Sequence, residues 1–491
     1  MDQLATTLLS YPPGADLNRA KHDVDYDRDT KIHVNKLSKL LKEKNADIVA
    51  HGPELLELLN AAVNSLSYLA VLHTLIIPGI ADSAPRDLIL EKLVLFLNTF
   101  DARQCRYARS HLQDVFLAAG SGQYLPPSAA VESLSTAILR LDPTGSMLTN
   151  SHILLAKLAY DTNNIEPALQ VIDKDIVFFP GMANSGEPKF LGDLSLPPPV
   201  YLSRETGLNG TLGVTSVLEY DMLRGMMYCS RRDWAKAYDA FDKVVTYPTR
   251  EGSTSKIMIE AYKKWSLVSL LLKGKLVEPQ SYTGSAASKL YGNLAKPYTV
   301  VTALFTTDNA RALKAEVEKY TEIWLEDGNT GLIQEVLAHY QKWRVLGLEQ
   351  IYSKISLSEI RQQTTSAETG KMLEKDEDVE MLIQNMIISG MLSGAIEKND
   401  DGTTFLTFLS PSAQLSEQDF AKELANTALR LKQLHPVFKT TKERLGTSKE
   451  YIKHVIKEEK RAERDEADAT VVGFEAHVDD EDLMGGVVAT G

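Results

Sequence analysis

Residues 351–360 read IYSKISLSEI, residues 376–391 read DEDVEMLIQNMIISGM and residues 390–409 read GMLSGAIEKNDDGTTFLTFL. These runs, with the segment just before them, decide the fold of the C-terminal half. Leu332, Val336, Tyr340, Trp343 and Leu346, with His339 alongside, recur at helical spacing. Ile351 to Ile355 is short and β-prone. Ser356-Leu357-Ser358-Glu359 has the form of a capping box, in which a hydroxyl and a carboxylate three residues apart satisfy orphan amides at a helix start. A helix is therefore expected through Ile360. A third helix is predicted from Asp376 to Met391, with Val379, Leu382, Ile383, Met386, Ile387 and Met391 on one face. Gly390 to Leu409 reads as strand, turn at Asn399-Asp400-Asp401-Gly402, strand. Helix, strand, two helices and a hairpin is the order of a winged helix.

Winged helices often read DNA, and a duplex demands Lys and Arg to replace its counterions. The third helix, which would enter the groove, opens instead with Glu374, Asp376, Glu377, Asp378 and Glu380, against Lys375 alone. Those carboxylates repel phosphate. Their other use is electrostatic, at the positive end of the helix dipole. No direct nucleic-acid contact is expected of this face.

The whole chain agrees with that polarity. Its net charge is −13 over 491 residues, which argues against a dedicated nucleic-acid or anionic-membrane protein. Apolar residues make up 44%, enough for a large core and against global disorder. Cys105 and Cys229 lie far apart and form neither a metal-ligand spacing nor a disulfide framework, which fits a reducing compartment. Met1 to Pro13 has no basic start and no long apolar core, so no secretory signal is expected. The apolar run Leu66 to Ile77 holds His73 and is too short to span a bilayer.

Residues 1–36 carry Asp23, Asp25, Asp27, Arg28 and Asp29 and are expected to be a charged, mobile lead-in. Residues 37–330 read as one helix after another, punctuated by Pro78-Gly79, Gly120-Ser121-Gly122 and Pro126-Pro127. Two segments look like copies of a helical hairpin. Ala168 matches Ala237, Leu169 matches Tyr238 and Ile172 matches Phe241. A small residue where two helices approach, followed by a large apolar one, is a tetratricopeptide-like pattern. The copies lie about two such periods apart, so a helical-repeat solenoid is predicted. Between them, residues 180–215 hold Pro197-Pro198-Pro199 and several glycines and read as a loop insert. After the winged helix of residues 331–410, residues 411–465 read as C-terminal helices. Ser416 is expected to cap a helix carrying Phe420, Leu424, Ala428, Leu431 and Leu434, and Pro436 to interrupt it. Phe438, Leu445 and Ile452 then recur every seven residues, with Tyr451, Val455 and Ile456 beside them. A narrow apolar stripe on a charged helix needs a second helix to cover it. Residues 466–491 form an acidic tail with Asp479-Asp480-Glu481-Asp482, expected to be disordered.

No coherent catalytic constellation emerges. The zinc spacings, the two phosphate-binding glycine motifs and the nucleophile elbow are absent. His73, His111 and His339 lie in apolar helical patterns and read as packing residues. Trp234, Trp265, Trp324 and Trp343 do too. The acidic runs lack the alternating ligands and central glycine of a calcium loop. No catalytic, cofactor-binding or metal-binding residue is proposed, and the balance favours a binding or structural protein.

A helical-repeat array running into a winged helix and terminal helices resembles the PCI-domain family. Those proteins form scaffolds of the proteasome lid, the COP-9 signalosome and translation initiation factor three. The run Trp324-Leu325-Glu326-Asp327-Gly328-Asn329-Thr330-Gly331-Leu332-Ile333 is similar to the segment leading into the PCI domain of the signalosome subunit 3 family. Tyr352 to Ile360, His51 to Leu56 and Leu66 to Leu75 resemble that family as well. The resemblance implies a non-catalytic scaffold in a complex that removes a ubiquitin-like modifier from cullins and so regulates cullin-RING ligases, in nucleus and cytoplasm. It implies PCI and MPN subunits as partners, with subunits 1 and 8 as neighbours, a metal hydrolase on a different subunit and no cofactor here. A proteasome-lid scaffold is the alternative, and a nucleic-acid-binding winged helix is a further one. The resemblance also implies winged helices paired into an arc and terminal helices gathered into a bundle. The pieces of this chain that would serve are the strand Phe405, Leu406, Thr407, Phe408 and Leu409, offered as an open sheet edge, and the stripe of Phe438, Leu445, Ile452 and Val455.

Overall fold

The computed structural model describes residues 2–12, 23–76, 85–179, 190–248, 254–279, 285–399, 402–409, 417–447, 451–453, 455–457 and 459–460. They belong to two compact units, Met1–Leu409 and Ser410–Gly491.

The first unit opens with α1 (Asp2–Leu9) and α2 (Asp23–Glu43). The expectation of a mobile lead-in over residues 1–36 fails in its described part, residues 2–12 and 23–36. Among the charges of α2, Tyr26, Asp27, Thr30, His33 and Leu37 recur at three- and four-residue spacing, and all are buried. The stripe is polar and aromatic, so an apolar count misses it. Asp27, Thr30 and His33 each gain a side-chain partner from elsewhere in the fold, while Tyr26 packs its ring under the Arg103 guanidinium. Tyr107 Oη donates to Asp27 Oδ1 at 2.9 Å, His33 Nε2 meets Ser67 Oγ at 2.9 Å and Arg103 holds Asp23 at 2.7 Å. Leu4 and Leu8 of α1 join the same core, and Ser67 Oγ donates to Leu8 O at 2.7 Å.

The array continues as α3 (Asn45–Leu58), α4 (Ser65–Ile76), α5 (Arg86–Thr99), α6 (Ala102–Cys105), α7 (Ser110–Gly120) and α8 (Pro127–Leu141). The apolar α4 is buried almost all round, as its composition requires. Then come α9 (Asn150–Asp161) and α10 (Glu166–Ile172), the first hairpin copy. A short α11 (Pro198–Tyr201) follows, and α12 (Val214–Ser230) with α13 (Trp234–Val245) forms the second copy. The copies match at their turns as well as their cores. Asn163 and Arg232 both have positive φ, and Asn164 N–H and Asp233 N–H reach back to Ala159 O and Tyr228 O at 3.1 and 3.0 Å. Ala168, Ala237, Ile172 and Phe241 are fully buried. In the second copy the helices close so tightly that a Cβ on Gly225 would sit 2.4 Å from the Phe241 ring, hence glycine at that position.

The described part of the insert is irregular, as expected, yet it is built into the core. Tyr201, Leu202 and Leu208 are buried. Arg106 lies 3.8 Å from the Tyr201 ring centre and donates to the carbonyls of Leu191 and Asp193. Arg103 Nε donates to Gly192 O at 2.7 Å. The insert therefore straps α2, α6 and α8 together rather than hanging from the array.

The array ends with α14 (Lys256–Lys273), α15 (Ser285–Leu294), α16 (Lys296–Phe305), α17 (Ala310–Lys319) and α18 (Thr321–Glu326). Ser255 Oγ caps α14 on Met258 N–H at 3.3 Å, and Gly274 ends it at positive φ. Residues 290–304 and 310–324 are each divided between two helices. Pro297 near the start of α16 supplies the first break, since it suits only a first helical turn. The C-terminal half is α19 (Thr330–Leu348), β1 (Lys354–Ser356), α20 (Leu357–Gln363), α21 (Asp376–Ile388), β2 (Gly394–Lys398) and β3 (Thr404–Phe408). That is the predicted winged helix. α19 serves both cores, with Ile333, Val336 and Tyr340 in the array and Val345 and Leu348 in the winged helix. The second unit contributes α22 (Glu417–Thr447). Ser416 and residues 466–491 lie outside the described residues.

Two buried imidazoles make the array acid-sensitive. Burial, with Lys36 beside His33 and Arg224 beside His152, lowers both from 6.5 to about 4. Below pH 6.5 the unfolded chain takes up protons that the folded chain refuses. Stability is full above 6.5 and drains as pH falls toward about 4. The loss approaches ~3 kcal/mol per histidine. Urea midpoints measured across this window should fall steeply, and His152→Gln should flatten the slope. A pH-independent midpoint in the wild type would contradict the assignment.

Candidate subunit interface

The winged helix is held on the array by a closed loop of buried polar contacts. The turn between α18 and α19 runs Asp327-Gly328-Asn329, with Gly328 at positive φ and Asn329 N–H bonded to Trp324 O at 2.8 Å. From α14, the buried Lys264 Nζ donates to Asn329 Oδ1 at 2.6 Å and to Asp327 O at 3.2 Å. Asn329 Nδ2 donates to Tyr298 Oη at 2.6 Å, and Tyr298 donates in turn to Asp327 Oδ2 at 2.7 Å. Lys263 closes on Asp327 Oδ1 at 2.6 Å. Desolvation pushes the Lys264 ammonium below its usual range, opposed by Glu260 and Asp327. Further along, Arg232 bonds Glu335 and Arg344 bonds Asp308, while Gly274 packs against Trp343 where a Cβ would come within 2.5 Å.

Within the winged helix the sheet order is β1-β3-β2, both pairings antiparallel. This corrects the expectation for Phe405, Leu406, Thr407, Phe408 and Leu409 as an open edge. Their strand is the central one, with its amides and carbonyls committed to both neighbours. Leu406 is fully buried, and Phe408 packs against the domain core. Phe405 and Thr407 alternate to the other face, as a two-residue period dictates. There Lys354 Nζ bonds Glu397 at 2.7 Å and lies 5.1 Å from the Phe405 ring centre. That lysine, with Thr407, holds Glu397 below the usual carboxylate range. Leu409 N–H closes onto Ser393 O at 2.9 Å. The outer edges belong to β1 and β2, and among the described residues neither edge has a strand partner. Alternation of apolar and polar residues cannot reveal which strand lies in the middle; the return of the chain beside β1 decides it.

The expected acidic helix is α21. Val379, Ile383 and Met386 are buried, and Arg361 ties its first residue, Asp376, at 2.7 Å. Its C-terminus closes as a Schellman turn on Gly390, with Met391 N–H to Met386 O and Gly390 N–H to Ile387 O.

In the second unit, Pro436 does not interrupt α22, which runs on through it to Thr447. A proline removes one amide donor, and here long helix-forming flanks carry the helix past it. The consequence is a longer stripe than the one read from Phe438 onward. Leu424, Leu431, Phe438 and Leu445 fall at successive sevens along one helix, and Ile452 continues the register in a further helical stretch. Leu424, Leu431 and Phe438 are exposed at 61%, 64% and 64%, and Ile452 at 44%. Val455 is half-buried. The side chain of Leu445 lies outside the described residues. The strand residues and the stripe fall in different units.

No group of His, Cys, Asp and Glu among the described residues could hold a metal ion, and no described helix is long and apolar enough to cross a membrane. The family described as COP9 signalosome complex subunit 3, N-terminal helical repeats, matches residues 29–287. A COP9 signalosome complex subunit 3 from Neurospora crassa is 39% identical over the whole of both chains. One from Emericella nidulans is 29% identical over 88% of this chain and 89% of its own. The chain belongs to the COP9 signalosome complex subunit 3 family. The expected family and helical fold class are thereby established, and the lid and nucleic-acid alternatives are not favoured. The subunit 3 match over residues 29–287 begins inside α2, in the segment expected to be mobile.

Asn329→Leu should cost about 3 kcal/mol, because it strands a buried ammonium and leaves a buried tyrosine hydroxyl one partner short. Urea unfolding measures the loss, and faster hydrogen exchange along α19 should accompany it. A change within ~0.5 kcal/mol, the ordinary surface value, would show that the loop of contacts is dispensable.

Proposed function

We propose that this chain is a non-catalytic scaffold subunit of a COP9 signalosome, the complex that removes the ubiquitin-like modifier from cullins and so regulates cullin-RING ligases. The observation that carries this reading is the stripe on α22. Its exposed apolar positions recur every seven residues on an otherwise charged helix, and such a seam is stable only against other helices. Each large apolar side chain left in water forgoes about 1.5–3 kcal/mol of burial. Terminal helices of other PCI and MPN subunits are the natural cover.

The second contact is the winged-helix sheet. Among the described residues its outer edges on β1 and β2 have no strand partner, and strand addition or side-chain capping by a neighbouring subunit would cover them. Phe405, Thr407 and Leu409 then belong to the flank of that contact rather than to its hydrogen-bonded edge. Subunits 1 and 8 are the proposed neighbours, with residence in nucleus and cytoplasm. The chain turns over no substrate and binds no cofactor. Its work is to hold other subunits in register.

The test is purification of the tagged full chain from its own cells. A set of other PCI and MPN subunits, with cullin-modifier cleavage in the eluate, is expected. Changing Leu424, Leu431 and Phe438 together to Asp should leave the thermal midpoint and helical content unchanged, because those side chains are exposed. It should remove the co-purifying subunits, since buried unpaired carboxylates cost several kcal/mol each. Normal co-elution of the triple variant would end the stripe's role in assembly. Recovery of the wild-type chain alone would end the scaffold reading itself.

A further inference from the structure

The outer face of α21 has no part in the assembly surfaces above, yet it is not an ordinary solvated face. Glu377, Met381, Gln384 and Ile388 fall at helical spacing, and all four are exposed. Ile388 is 83% exposed and Met381 58%. The opposite face, Val379, Ile383 and Met386, already supplies the domain core. The two outer apolar side chains therefore stand largely outside that core. They stand about 10 Å apart along the axis, two helical turns, with Gln384 between them.

Charge selects what could cover them. Asp376 pairs with Arg361, Asp378 accepts from Lys375 N–H and Glu380 accepts from Gln384 Nε2. The carboxylates of Glu374 and Glu377 have no such partner among the described residues, and they sit at the N-terminal end of the apolar pair. In a winged helix this is the helix that meets a nucleic acid groove, and this charge forbids phosphate, whether of a duplex or of an anionic lipid surface. A polypeptide is the occupant that can meet apolar side chains and acids together. Methionine packs adaptably against such a surface.

We propose that the outer face of α21, with Met381 and Ile388 as its contacts, Glu377 in its first turn and Glu374 in the segment leading into it as the charges beside them, docks an amphipathic helix of a partner protein whose apolar side chains are flanked by Lys or Arg. Two helices packed across this face would place the partner's leucines around Met381 and Ile388 and its cations over the first turn. The acids would discriminate against partners of the opposite charge pattern.

The test uses the full chain with the α22 seam closed to peptides by Leu424→Asp, Leu431→Asp and Phe438→Asp, and two synthetic helical peptides. Both carry leucines at i, i+4, i+7 and i+11, one with lysines beside them and the other with glutamates. Fluorescence anisotropy of labelled peptide should show the lysine peptide binding at least roughly tenfold tighter at low salt, with the preference shrinking as salt rises. Met381→Asp combined with Ile388→Asp should weaken binding by at least about tenfold. Leu117→Ser on α7, an exposed position with no binding role, should change nothing. Glu374→Lys with Glu377→Lys should reverse the peptide preference, and this pair decides the matter if the first variant fails to fold. Equal affinity for the two peptides, binding indifferent to the α21 variants, or competition by a second copy of the chain would each overturn the proposal. These outcomes do not depend on whether the chain assembles through α22.

Discussion

The Lys264 ammonium lies buried between α14 and the turn that opens α19, and the C-terminal half takes its position from what surrounds that charge. A buried ammonium must be met by oxygen on most sides or it is expelled. Asn329 Oδ1 and the Asp327 carbonyl meet it, and the turn that presents them is allowed only because Gly328 takes a left-handed conformation. Tyr298 and Lys263 then saturate Asn329 and Asp327. Such a network contributes little net stability compared with apolar packing, but its geometry admits one arrangement. α19 follows directly from the turn, so its direction is fixed at the first residue.

Because α19 is shared by both cores, fixing it also fixes the winged helix. Arg232, Trp343 and Arg344 fasten successive turns of α19 to the array, and Val345 and Leu348 then begin the second core. A scaffold needs this rigidity. If the winged helix swung on a linker, any neighbour held at its sheet edges would swing with it. The insert between the hairpin copies acts in the same sense at the other end, where Arg103 and Arg106 strap the N-terminal helix to the middle of the array.

The stripe on α22 obeys the opposite logic. Leu424, Leu431 and Phe438 remain in water within the single chain, although helices of the array bury equivalent residues completely. On the function proposed above, burial of side chains of that size at a regular repeat is deferred to association. One chain thus carries a solenoid that satisfies itself and a terminal helix that does not.

How much of this was legible varied with the kind of interaction. The order of elements in the winged helix, the paired hairpins around Ala168 and Ala237, and the acidic start of α21 follow from local spacing and charge, which act within a few residues of chain. The buried stripe of α2 escaped because Asp27, Thr30 and His33 are polar and become core residues only when Tyr107, Tyr11 and Ser67 bond to them. The continuity of α22 through Pro436 escaped because the proline's cost of about 3 kcal/mol is a local signal, while what offsets it is spread along a long helix. By itself the sequence determined the helical periodicities, the capping signals, the heptad spacing and the sign of charge, since these are properties of neighbouring residues. Only the tertiary structure decided that β3 is the central strand, that Asn329 meets Lys264 and that Gly225 faces Phe241. Each of those depends on which distant segments return to the same place, and no spacing along the chain encodes that return.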